Sequence, residues 1–60
     1  MTRDEREQEL RNLIYGYFYE LAEQYLRAAG LPPGTTLPMG LRVTQMINFI
    51  LDKEFPPDNP

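Results

Sequence analysis

Hydrophobic and polar positions alternate with helical spacing over two stretches of the chain. Apolar side chains recur every three to four positions in each, which is the spacing of an amphipathic α-helix. The pattern predicts an all-α chain with a long helix over about 3–29 and a shorter helix over about 38–54. Because a Pro- and Gly-containing linker separates them, the two helices are predicted to form an antiparallel hairpin.

Capping signals mark both ends of the first predicted helix. Thr2 and Glu5 have the spacing of a capping box, in which each side chain accepts a hydrogen bond from the other residue's backbone N–H. Gly30 suits the left-handed residue of a Schellman motif, with Leu31 following it and packing on Leu26. These residues therefore predict a helix that begins just after Thr2 and ends just before Gly30.

The linker and the tail contain most of the prolines. Pro33-Gly34 fits the central pair of a type II turn. Pro38 suits the first turn of the second helix, although Gly40 also permits a start as late as Leu41. Residues 1–55 are predicted to form a single domain, and the Pro-rich tail over residues 56–60 is predicted to be extended.

Both predicted helices are apolar over more than one face. A one-sided surface helix needs an apolar arc of only about 100°, and the first helix exceeds this. One set of residues is assigned to packing within the hairpin: Ile14, Tyr17, Leu21, Met46, Phe49 and Ile50. A second set is assigned to an association surface: Tyr15, Phe18, Tyr19, Leu26, Ile47 and Leu51.

A chain of 60 residues is small for an independent fold. Domains below about 70–80 residues usually need a disulfide, a metal or a partner chain. The chain has no Cys and no His, which excludes disulfides and argues against zinc. We therefore expect a homodimer, with two hairpins forming a four-helix bundle. The dimer could be parallel or antiparallel, and pairing with a different chain also satisfies the pattern.

The net charge of −3 bears on the class of partner. It disfavours general binding to nucleic acids or anionic membranes. No apolar run approaches the ~20 residues that span a bilayer, and residues 1–7 are too charged for a signal peptide. A cytoplasmic location is the resulting expectation.

The segment Tyr15-Gly16-Tyr17-Phe18-Tyr19 is the most distinctive in the chain. Its rings could stack on nucleobases or an aromatic ligand. However, stacking on nucleic acid is normally accompanied by basic residues, and none lies between Arg11 and Arg27. We therefore assign the rings to core and interface packing.

The polar side chains of the second helix suggest an alternative function. A dimeric DNA-binding regulator could present them to base edges, because Arg, Gln and Asn are suitable base readers. The four residues are Arg42, Thr44, Gln45 and Asn48. The predicted linker is longer than the turn of a helix-turn-helix unit, and few basic residues are available for phosphates.

Catalytic and metal-binding chemistry have little support in the sequence. Without His, Cys or Ser the commonest nucleophiles and bases are missing. Glu20 and Glu23 are spaced to share a helix face, but the His of a bundle metal site is absent. The sequence thus predicts no enzyme, cofactor or metal, and favours a small acidic protein-interaction module such as a regulator, inhibitor, adaptor or assembly subunit.

Overall fold

A computed structural model describes residues 1–57 of the chain. These residues form three α-helices and no β-strand, which confirms the predicted all-α class. The helices are α1 (Arg3–Asn12), α2 (Phe18–Ala28) and α3 (Val43–Glu54). None of the helices in residues 1–57 has the length and apolar character that crossing a membrane requires.

The predicted capping box opens α1. Glu5 N–H donates to Thr2 Oγ1 at 3.1 Å, and Thr2 N–H donates to Glu5 Oε1 at 2.9 Å. These hydrogen bonds to Thr2 lower the pKa of the Glu5 carboxyl below its ordinary value of 4.5. Two backbone N–H groups that the helix itself cannot satisfy thus find acceptors.

The predicted single helix over residues 3–29 is wrong, because the chain breaks at Gly16 and Tyr17. A 3-10 turn, Leu13–Tyr15, follows α1. Gly16 then has φ 158° and ψ −8°, and Tyr17 has φ −132° and ψ 42°, so neither residue is helical. The predicted two-helix hairpin is replaced by three helices.

Packing of α1 gives a physical reason for the break. Because α1 folds back, Leu10 is fully buried and joins the residues of α2 and α3 in the core. The 12 residues of α3 span about 18 Å. This length is too short to cover a continuous helix from residue 3 to residue 28. The break makes Gly16 and Tyr17 non-helical, but it allows Leu10 to be buried, and this burial favours the broken chain over a continuous helix.

The predicted Schellman motif ends α2. Leu31 N–H donates to Leu26 C=O at 2.8 Å, and Gly30 N–H donates to Arg27 C=O at 3.1 Å. Gly30 has φ 74°, which a residue with a Cβ adopts only at a cost. The end of α2 was therefore predictable from Gly30.

Two turns of the same kind connect α2 to α3. In the first, Thr35 N–H donates to Pro32 C=O at 3.3 Å and Gly34 has φ 84°, as predicted for a type II turn. In the second, Leu41 N–H donates to Pro38 C=O at 3.2 Å. Pro38 therefore belongs to a turn and not to a helix.

The predicted start of the second helix at residue 38 is consequently wrong, and α3 begins at Val43. Arg42 N–H donates to Gln45 Oε1 at 2.8 Å, which caps the new helix start. The predicted end is confirmed, since α3 ends at Glu54. Of the predicted tail over 56–60, residues 58–60 lie outside the described part of the chain.

The core lies where α3 packs against α1 and α2. Six hydrophobic side chains of the described chain are fully buried there: Leu10, Leu21, Met46, Ile47, Ile50 and Leu51. Leu26 is also buried. At its edge, the rings of Tyr25 and Phe49 meet edge to face with centroids 5.3 Å apart. Lys53 Nζ lies 5.4 Å from the Phe49 centroid, within cation–π range.

Arg6 connects all three helices through its guanidinium group. Its Nε and Nη2 donate to the two carboxylate oxygens of Glu54 on α3 at 2.7 and 3.0 Å. Nη2 also donates to Gln24 Oε1 on α2 at 2.6 Å, and Nη1 donates to Glu9 on α1. The hydrogen bond to Arg6 lowers the pKa of Glu54, and the one to Glu54 raises the pKa of Arg6.

Candidate functional site

Four aromatic side chains are exposed around the break between α1 and α2. The exposed fractions are 87% for Tyr15, 66% for Tyr17, 41% for Phe18 and 86% for Tyr19. We call these four residues the aromatic surface. Scattered exposed hydrophobic residues are normal in small proteins, but a concentration of large rings marks an interaction site.

The break in the chain positions the aromatic surface. Tyr15 ends the 3-10 turn, and Tyr17 precedes α2 without a side-chain cap. In a continuous helix, Tyr15, Phe18 and Tyr19 would share one face, and Tyr17 would point away from it. Because residues 16 and 17 are not helical, Tyr17 turns toward solvent together with its neighbours.

A groove of about 250 Å³ extends from the aromatic surface along α2. Phe18 and Tyr19 line it, and Glu23 contributes its single carboxylate. The full lining is Phe18, Tyr19, Ala22, Glu23, Leu26, Gly34, Thr35 and Leu37. The groove is thus mainly apolar, and its volume is just below the ~300 Å³ at which small-molecule sites begin.

The loop after α2 forms the opposite wall of the groove. Thr35 Oγ1 donates to Pro32 C=O at 2.7 Å, in addition to the backbone hydrogen bond of the same turn. Two prolines and two hydrogen bonds restrict this turn, so the wall is held in place without a partner.

Three of the residues predicted at the association surface are buried within the single chain. Ile47 and Leu51 are fully buried, and Leu26 is buried but lines the groove. The prediction allowed α3 to cover only one helix. In the structure α3 packs against α1 and α2 together, and its apolar residues have neighbours on both sides. Tyr15, Phe18 and Tyr19 remain exposed.

The predicted core residues also separate into groups. Leu21, Met46 and Ile50 are fully buried, and Ile14 is half-buried against them. Phe49 is also half-buried, with its ring against Tyr25.

Tyr17 was assigned to the same core, but it is mostly exposed because it lies in the break. Leu10 is the core residue that the prediction omitted. Its helical spacing to Ile14 was the available signal, since both residues belong to one apolar row.

The polar residues of the alternative DNA-binding interpretation lie at the start of α3. Arg42, Thr44, Gln45 and Asn48 are exposed, but Gln45 Oε1 is engaged in capping the helix.

Glu20 and Glu23, which were considered for a metal site, belong to α2. Among residues 1–57, no three acidic side chains lie close enough together to hold a metal ion.

Comparison of the chain with protein-family models, with curated proteins and with solved structures finds no match. The aromatic surface and its groove are therefore the basis on which a function is proposed.

Proposed function

We propose that this chain is a protein-interaction module that self-associates through the aromatic surface. One observation carries the proposal: four large aromatic side chains are exposed within five consecutive positions, while the hydrophobic core is complete without them. Tyrosine and phenylalanine are enriched at the centres of protein interfaces, because each buries a large area and loses little conformational entropy.

The exposed area is sufficient for a dimer. An aromatic side chain presents about 200 Å², so the exposed fractions of Tyr15, Tyr17, Phe18 and Tyr19 amount to roughly 500 Å². Two copies meeting through this surface would bury about 1,000 Å² in total, which is the lower limit for a specific interface. Flanking polar residues would add to that area.

The groove supports the same function. Binding energy at an interface is concentrated where a large side chain of one partner fills a pocket of the other. The groove has an apolar lining and a volume that accommodates one or two such side chains. An aromatic ring from a second copy, such as the exposed ring of Tyr15, fits this description.

Sedimentation equilibrium over micromolar to millimolar concentrations tests the proposal. The double variant Tyr15→Ser/Tyr19→Ser should weaken self-association about 30-fold or more, since truncating an interface anchor costs about 2 kcal/mol. Met39→Ser is the matched control, because Met39 is fully exposed in the loop and lies outside the aromatic surface. It should leave association unchanged.

Neither change should lower stability, because the substituted side chains are outside the core. A wild-type chain that remains a folded monomer throughout the concentration range would contradict the proposal. So would a double variant that associates as strongly as the Met39→Ser control.

A further inference from the structure

We infer that self-association takes place by exchange of α1 between two copies of the chain. In this dimer, residues 3–28 of each copy form one continuous helix, and each α1 packs on the α3 of the other copy. The inference rests on the proposed function and deepens it, because it identifies the partner as a second copy and specifies how the partner is bound.

The connection between α1 and α2 needs little change to become helical. Leu13–Tyr15 already form a 3-10 turn, and Tyr17 N–H donates to Leu13 C=O at 2.9 Å, which is the spacing of an α-helical hydrogen bond. Only Gly16 and Tyr17 have non-helical backbone angles. A change of the φ and ψ angles of these two residues to helical values would make α1 and α2 one continuous helix.

The start of α2 gains hydrogen bonds in the continuous helix. Tyr17 precedes α2 and provides no side-chain acceptor for the first N–H groups of the helix. In a continuous helix, Phe18 N–H and Tyr19 N–H donate to the carbonyls of Ile14 and Tyr15. We call the single chain, with α1 packed on its own α3, the closed chain. The continuous helix therefore satisfies two backbone N–H donors that have no intrachain cap in the closed chain.

Every identified contact between α1 and α3 can be made by a second copy. Arg3 Nη2 lies 3.2 Å from Asp52 Oδ1, and Arg6 pairs with Glu54 through two hydrogen bonds. Leu10 completes the core. These contacts depend on the surfaces of α1 and α3 and not on the covalent link, so exchange preserves them.

Exchange also provides a partner for the aromatic surface. In a continuous helix Tyr15, Phe18 and Tyr19 have i, i+3 and i+4 spacing and share one face. Two long helices and two copies of α3 then make four helices, and the aromatic faces of the long helices can pack on each other. These three rings are exposed in the single chain and are therefore available for such packing.

A charge-exchange experiment distinguishes this dimer from a surface dimer. Arg6→Glu and Glu54→Arg are prepared in separate chains, and each change opposes like charges between α1 and α3 of the same chain. When the two variants are mixed, only exchange of α1 pairs the acid introduced at position 6 with the base introduced at position 54. Both variants keep a net negative charge, so overall attraction does not bring them together.

Native mass spectrometry of the annealed mixture gives the readout. We expect the mixed dimer to dissociate about tenfold less readily than either variant's own dimer. The chain carrying both changes restores the pair internally, and it should associate like the wild type. A mixture containing only the statistical share of mixed dimer would overturn exchange but leave the proposed self-association standing. A wild type without any dimer would instead contradict the proposed function itself.

Gly16→Ala tests the hinge independently. Alanine favours the continuous helix over the angles that Gly16 adopts in the closed chain. The variant should therefore dimerise about tenfold more tightly than the wild type, with a higher helical signal in circular dichroism. A Gly16→Ala chain that stays monomeric, or dimerises less than the wild type, would overturn the inference.

Discussion

The Arg6 contacts give the sharpest prediction about stability. Arg6 uses four of its five N–H donors, and its partners lie on all three helices. Its side chain is only 15% exposed, while that of Glu54 is 40% exposed. Replacing Arg6 with alanine therefore removes the polar connection of α1 to α2 and α3, and leaves Glu54 with a partly desolvated charge.

The magnitude follows from the intermediate burial of the pair. Exposed ion pairs contribute about 0.2–1 kcal/mol, and breaking a buried pair costs about 3–5 kcal/mol. For a pair between these limits, Arg6→Ala should lower the free energy of unfolding by about 2 kcal/mol. A core this small supplies about 3–5 kcal/mol in total, so the urea midpoint should fall by roughly 2 M at a slope near 1 kcal/mol per M.

Urea unfolding followed by circular dichroism measures this loss, and Arg11→Ala is the matched control. Arg11 Nε pairs with Glu7 at 2.9 Å within α1 only. Such an i,i+4 pair contributes about 0.3–0.5 kcal/mol. A double-mutant cycle of Arg6→Ala and Glu54→Ala should give a coupling of about 1 kcal/mol. Equal losses for Arg6→Ala and Arg11→Ala, or a coupling near zero, would refute the assigned role.

Three further predictions follow from the same structure. Arg6 lowers the pKa of Glu54, so this pair stabilises the fold above the ordinary value of 4.5, and its contribution is lost as the pH falls through the lowered pKa. Stability measured across this range should thus depend less on pH in Glu54→Gln. Leu51→Ala should cost about 2–5 kcal/mol and leave most chains unfolded by circular dichroism, because Leu51 is fully buried. Thr2→Ala should cost about 1 kcal/mol in urea unfolding through loss of the capping box, whereas the exposed Thr36→Ala should cost almost nothing.

Local chemistry made the outer ends of the helices predictable. The capping box at Thr2 and the Schellman motif at Gly30 involve residues close in sequence, so their hydrogen bonds could be inferred without a fold. The break at Gly16 depends instead on contacts between α1 and α3, which are more than 40 positions apart. Helical periodicity continues through the break, and it therefore suggested one helix.

In the candidate site, too, some features could be predicted from the sequence and others depend on the packing of the helices. Aromatic residues in the segment 15–19 were recognisable as interface candidates from their type and number. The sequence could not show which of these rings face solvent, because the exposure of Tyr17 depends on the break between α1 and α2. Leu26, Ile47 and Leu51 have the same apolar spacing as the exposed rings, and only the packing of three helices shows that they are buried.

The pairing of α1 with α3 also brings distant parts of the chain together. Arg3 and Pro57 line the same shallow cleft. A circular permutant could therefore join residue 57 to residue 1 through a short added linker and open the loop at Met39, which is fully exposed. Its helices would follow the order α3, α1, α2 with the same packing. Because the linker would tether α1 to its own α3, such a chain would have much less freedom to exchange it.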